Sequence, residues 1–233
     1  NISSSGEMDK NAGLISNFTT GIPYIYKHPQ LRLIMFMAFF HCGFTMSFES
    51  VLPVISDKKF GASEATEFSL IMMAVGAGAL ITVTLISGLS SQSSQGKWYL
   101  YLGYISSFSP ILLAFSPNIS IALVSAALMG GSQAGYMTIT HTMIQIVTDD
   151  SVRGRVAAMY NVHIGFIMSS MNLVNGALAT ITYLGISIVF GFNLIPAGTL
   201  LTVGGLLFLI TISLSPGFKT LRSIYKIGIP YSN

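Results

Sequence analysis

Long apolar runs alternate with short polar breaks along the chain, and the runs have the length of membrane crossings. A helix needs about 20 apolar residues to cross a hydrocarbon core, and the stretch from about Leu33 to Pro53 meets that length. A polar loop with Asp57, Lys58, Lys59, Glu64 and Glu67 follows, and a second span is expected from Phe68 to about Leu89. Ala74, Gly76, Gly78 and Ala79 give that span the small-residue spacing that lets two helix backbones approach closely in lipid. After the polar segment Ser90 to Lys97 a third span runs from Trp98 to Phe115, opened by the interfacial aromatics Trp98, Tyr99, Tyr101 and Tyr104. Ser116, Pro117 and Asn118 form a turn, and a fourth span runs from Ile119 to about Val147. The fifth leaves at Val156 and continues to about Leu178. The uncharged stretch Val156 to Phe218 is too long for one crossing, so a turn is expected between Thr180 and Asn193, with a sixth span from Leu194 to Leu214. Pro196 is tolerated in the first turn of that helix, where its missing donor is not needed. The expected fold is therefore an all-α membrane protein, a six-transmembrane-helix bundle over 31–215. It is preceded by a linker and interfacial segment over 1–30 and followed by a tail over 216–233.

Composition agrees with the pattern. Charged residues make up 8% of the chain against 52% hydrophobic, and the mean hydropathy is +0.68. Eight acidic and eleven basic residues cannot give every helix of a water-soluble domain a polar outer face. The isoelectric point near 9.0 does not indicate a nucleic-acid partner, because the basic residues are spread over several short segments. The single cysteine, Cys42, lies in an apolar run and excludes an intrachain disulfide. No signal peptide precedes the first span and residue 1 is Asn, which suggests a fragment or a processed product.

Charge is concentrated in one place. Asp149, Asp150, Arg153 and Arg155 form a compact knot, while Trp98 to Thr148 and Val156 to Phe218 contain no Asp, Glu, Lys or Arg. In a six-span topology Lys10, Lys27, Arg32, Lys97, Arg153, Arg155, Lys219, Arg222 and Lys226 fall on one face and only Lys58 and Lys59 on the other. The positive-inside rule then places the knot and both termini in the cytoplasm.

These residues carry a resemblance. Gly21-Ile-Pro-Tyr-Ile-Tyr-Lys-His-Pro-Gln-Leu-Arg before a span, Leu52-Pro53 at its far end, and Gln145 followed by Asp149-Asp-Ser-Val-Arg-Gly-Arg-Val resemble the carboxy-terminal half of a major facilitator superfamily transporter. The likeness extends from about Gly21 to Leu214 and is nearest to the bacterial drug and siderophore exporters, with the enterobactin and macrolide exporters among them. Two positions depart from the pattern: Thr148 stands where the family usually has Pro, and Gly88 to Lys97 keeps only Gly88, Gly96 and Lys97 of the charged half-repeat loop. The resemblance implies half of a twelve-helix fold in a bacterial inner membrane, partnered by an amino-terminal six-helix bundle in the same or a second chain. It also implies export of an amphipathic small molecule or siderophore in exchange for protons. A free-standing half-transporter that dimerises and a non-transporting scaffold or receptor are the alternatives.

Polar residues inside spans are expensive in lipid and tend to face a bundle interior or a water-filled path. Gln133, Tyr136, Met137, Thr140 and His141 share one face of the fourth span, and Asn161, Gly165, Met168, Asn172 and Asn175 form a stripe on the fifth. Together they read as a lined substrate path with an adaptable Met and Tyr wall. The alternative is interhelical hydrogen-bond glue, worth about 0.6 kcal/mol per contact. His163 lies on the opposite face from Asn161 and Asn172 and is expected to be packed or interfacial. Glu49 is the only acidic residue inside a predicted span, and His41, Thr45 and Glu49 recur at four-residue intervals. His41 and Glu49 are thus proton-coupling candidates, although Glu49 sits about 25 Å along the helix from Arg32, where an ionised side chain reaches water. The charged knot either anchors the loop to anionic headgroups or gates access through an Asp to Arg pair. No hydrolase, zinc or phosphate-loop motif is present, and the histidines His28, His41, His141 and His163 lack metal-site spacing. No enzymatic activity, cofactor or metal is expected.

Overall fold

A computed structural model describes residues 14–61, 66–89, 91–181 and 196–228. Among them every regular element is helical. Residues 1–13 of the linker and interfacial segment expected over 1–30, Glu64 with its neighbours in the first polar loop, Ser90, the turn expected between the fifth and sixth spans, and the chain end beyond 228 lie outside the described residues.

The helices are α1 (Leu14–Lys27), α2 (Pro29–His41), α3 (Leu52–Phe60), α4 (Thr66–Ser87), α5 (Gln92–Phe115), α6 (Ile119–Val147), α7 (Arg153–Ile181), α8 (Pro196–Leu214) and α9 (Lys219–Ile227). Four of them, α4, α5, α7 and α8, are long and apolar enough to cross a membrane by length and composition. The segment expected as the fourth span is the 29-residue helix α6. The expected first span is not one helix. It divides into α2, a π turn over Cys42–Met46, a non-helical turn at 47–51, and α3. Pro29 starts α2 at the position where its fixed φ suits the helix and its missing donor is not used. Gly61 ends α3 with φ of 71°, a left-handed cap that a Cβ disfavours.

Three other expectations change. The segment up to Thr20 was expected to be linker, yet α1 begins at Leu14, passes through Pro23 and packs along α7 and α2. The polar segment before Trp98 is already helical from Gln92. The tail also folds: a 3-10 turn at Ser215–Gly217 leads into α9, which buries Leu221, Ile224 and Tyr225 against the start of α5. Ser93 Oγ donates to the Lys226 carbonyl at 3.1 Å, and the Tyr225 and Ser215 hydroxyls lie 2.6 Å apart.

α6 is the central strut, packed on α4 and α5, while α5 also carries α8. Gly78 and Gly130 make the α4–α6 contact possible, because a Cβ on either would run into the backbone of the other helix. This is the close approach that the small residues of the second span predict. Outward-facing Leu80, Leu85, Phe166 and Leu173 are each at least 69% exposed, an apolar surface suited to lipid. α7 is the least covered of the four apolar helices.

The interior holds two apolar clusters. One, at the end where the basic residues gather, contains Leu31, Tyr99, Tyr136, Tyr160 and Phe208. The other, at the opposite end, contains Val51, Leu52, Ile71, Met129 and Leu201. The interrupted first span passes between them.

Candidate functional site

The break in the first span is where the buried polar groups converge. A π turn and the irregular turn after it take backbone groups out of the α-helical ladder, and in a membrane interior such groups need partners. Side-chain amides from two other helices supply them. Gln133 Nε2 on α6 donates to the Thr45 carbonyl at 2.7 Å, and Asn175 Nδ2 on α7 donates to the Ser47 carbonyl at 2.6 Å. Asn175 Nδ2 also reaches Ser47 Oγ at 3.1 Å, and the Ser50 amide donates to Asn172 Oδ1 at 3.4 Å. Gln133 from the α6 stripe and Asn172 and Asn175 from the α7 stripe are thus engaged by the backbone of the first span. These three amides reach the broken element from different sides.

The wall on the α5 side is built from hydroxyls and rings. His41 Nε2 lies 2.8 Å from Ser106 Oγ, Ser106 Oγ donates to Thr45 Oγ1 at 3.3 Å, and Thr45 Oγ1 donates back to the His41 carbonyl at 2.8 Å. His41 is fully buried, its ring 4.2 Å from Tyr136 and 5.0 Å from Phe208, and its Nδ1 has no hydrogen-bond partner. Tyr136 stacks on Tyr99 at 4.3 Å and donates its hydroxyl to Tyr99 at 2.8 Å. The hydroxyls of Thr45, Ser106, Tyr99 and Tyr136 thereby have partners, as the low dielectric requires, whereas the buried Ser50 Oγ in the turn at 47–51 has none among the described residues. Cys42 Sγ contacts Met137 Sδ at 3.6 Å, and Tyr160 Oη contacts the same sulfur at 3.8 Å.

The residues expected to line a path divide into two groups. Gln133, Tyr136 and Thr140 are buried, with Thr140 Oγ1 bonded to its own helix at the Tyr136 carbonyl. They brace the interior. Met137, Met168, Asn172 and Asn175 are half-buried, and His141 and Asn161 are exposed. His141 sits edge-on to Tyr160 at 4.7 Å. The expected ladder of His41, Thr45 and Glu49 is interrupted: His41 and Thr45 stay in register and are buried, but Glu49 falls in the turn after the π turn and is exposed.

In the charged knot Asp150 pairs with Arg153, three residues on, with both side chains at least half exposed. An exposed pair of this kind is worth about 0–1 kcal/mol. The Asp149 amide donates to the Tyr24 hydroxyl at 3.1 Å, which ties α1 to the knot, and Gly21 abuts Met159 and Arg155 on α7. Burial raises the Tyr24 phenol above its ordinary value.

The sequence reading missed Ser106, Ser47, Tyr99 and Phe208 as parts of the site. The run of hydroxyls at Ser106, Ser107 and Ser109 inside an otherwise apolar span was the available signal.

A family model described as transmembrane secretion effector matches residues 7–219. The chain belongs to that family. Transmembrane secretion effectors are transporters of the major facilitator type, and the multi-pass membrane character of the chain follows from the family and its apolar helices. No curated protein and no solved structure is significantly similar to it.

Proposed function

We propose that this secretion effector is the carboxy-terminal, six-span half of a secondary transporter whose interrupted first span is the moving part of the transport path. The interruption carries the reading. Discontinuous helices near the middle of the membrane are where transporters of this kind bind substrate and change access, and π turns concentrate at functional positions. Three amides, Gln133, Asn172 and Asn175, hold the broken segment through bonds that a shift of α7 against α6 would exchange.

On this reading the path runs beside α7, past the half-buried Met137, Met168, Asn172 and Asn175 and the exposed His141 and Asn161. The thinly covered α7 faces the second bundle, carried by the same chain or by a partner. The cargo is an amphipathic small molecule or siderophore, which suits sulfur and amide groups set among aromatic rings. Protons drive export, with His41 as the interior acceptor through its unpartnered Nδ1 and Glu49 as the carboxylate at the outer end. The bundle lies in a bacterial inner membrane with the basic end, the knot and both ends of the segment in the cytoplasm. A scaffold would have no need of a polar break across its middle.

The test is efflux of a fluorescent amphipathic dye from cells expressing the complete reading frame, with wild type compared with Asn175→Ala and Glu49→Gln. Gradient-dependent efflux that falls in Asn175→Ala supports the reading, and its survival in Glu49→Gln moves the coupling role to His41. Unchanged efflux in Asn175→Ala contradicts the assignment of the break.

A further inference from the structure

A cavity lies away from the break, at the basic end of the bundle, where α1 crosses the start of α2 and the first half of α7. Its volume is about 220 Å³. Ile22, Ile25, Met35 and Met159 form apolar walls, and two polar groups point to an anionic occupant: Arg32 and His163.

Arg32 is half-buried and makes no ion pair among the described residues. Among the described residues its side chain makes one long hydrogen bond, Nη1 to the Tyr26 carbonyl at 3.5 Å, which leaves most of a five-donor fork unused there. His163 packs its ring 4.8 Å from Phe39, and its Nε2 is buried without a partner. A buried ring nitrogen with no hydrogen-bond partner is destabilising, so its presence beside a guanidinium without an ion pair among the described residues asks for a ligand. A bidentate guanidinium contact with one imidazole N–H matches a phosphate group.

The site also opens where lipid lies. Ile22, Tyr26 and Phe36 at its rim are 41%, 58% and 44% exposed, an apolar and aromatic edge of the kind found at the headgroup level of a bilayer. α1 carries Lys27 in its last turn, adding positive charge beside the opening.

We infer that the cleft between α1, α2 and α7 is a binding site for an anionic phospholipid, with the headgroup phosphate on Arg32 and His163 and an acyl chain along Ile22, Ile25, Met35 and Met159. The lipid fastens α1 to α7. Because α1 is also tied to the charged knot through Tyr24, occupancy sets how firmly the basic end is held.

Native mass spectrometry of the purified, full-length protein tests this directly, with titrations of phosphatidylglycerol, phosphatidylcholine and oleate. Phosphatidylglycerol is expected to bind more tightly than either competitor. Loss of a charge-assisted contact in Arg32→Gln should weaken it roughly ten-fold. Arg32→Lys, which keeps the charge and loses the fork, should retain part of the affinity and guards against a folding defect. His163→Phe should weaken binding less than Arg32→Gln, and Arg222→Gln, a basic residue outside the cleft, should leave it unchanged. Equal losses in Arg32→Gln and Arg222→Gln would show diffuse attraction to basic residues and overturn the site. Equal retention of the two phospholipids, which both carry phosphate, would overturn the preference for an anionic lipid, and tighter retention of oleate would overturn the phosphate assignment.

Discussion

Gln133→Leu removes one amide and keeps nearly the same volume, so it isolates the bracing of the broken span from packing. Gln133 is 3% exposed and its Nε2 lies 2.7 Å from the Thr45 carbonyl. The variant loses a hydrogen bond whose average worth between membrane helices is about 0.6 kcal/mol. It also strips the side-chain donor from the Thr45 carbonyl, and an unsatisfied buried group costs about 1–3 kcal/mol. A loss of about 2 kcal/mol is expected, read as a shift in the free energy of unfolding in a mixed-micelle SDS titration. Gradient-driven efflux should fall with it, because the segment carrying Thr45 would no longer be tied to α6. The partner substitution Asn175→Ala acts on the same turn from α7, so the double variant should lose less than the sum of the singles. A Gln133→Leu protein within about 0.5 kcal/mol of wild type, with full efflux, would refute the claim that amides from α6 hold the break.

Other consequences are local. Gly130→Ala should push α4 from α6 and destabilise by about 1–3 kcal/mol, an overpacking effect visible in the same SDS titration. Asp150→Asn should change stability by less than about 1 kcal/mol, because its pair with Arg153 is exposed. Burial pushes the Tyr225 phenol up to about 12, against a partial opposing effect of its hydrogen bond with Ser215. The neutral phenol is therefore favoured in the folded state, so its contribution is complete below about pH 10 and is lost as pH rises from about 10 through 12, ~3 kcal/mol in all. A fluorophore on Lys226→Cys should report α9 leaving α5 over that range, and Tyr225→Phe should flatten the profile. Release of α9 at the same pH in Tyr225→Phe would show that another group controls it.

Most of the helical order was legible because apolar length is a direct consequence of crossing a bilayer. The charge-free runs from Trp98 and from Val156 located α6, α7 and the end of α5, although α5 starts earlier, at Gln92, and Gly78 announced the tight α4–α6 contact. The break in the first span was not legible. Leu33 to Pro53 has the length and hydropathy of one helix, and Gly43, Thr45, Ser47 and Ser50 are each tolerated in a membrane helix. What distinguishes them is that distant amides satisfy the opened backbone, a fact of tertiary placement. The same reason explains Gln133: periodicity put it on a polar face with Tyr136 and Thr140, but could not say whether that face met water or another helix. The folding of α9 was missed because its burial depends on Gly96 admitting it to the side of α5.

The most direct test of the account is to lock the break to α7. Ser47 Oγ and Asn175 Nδ2 are 3.1 Å apart, so cysteines at both positions, with Cys42→Ala as background, can be joined by oxidation and released by a reductant. Gradient-driven efflux from the complete reading frame should stop on oxidation and return on reduction, as a moving joint requires. Full efflux with the crosslink formed to completion would contradict it.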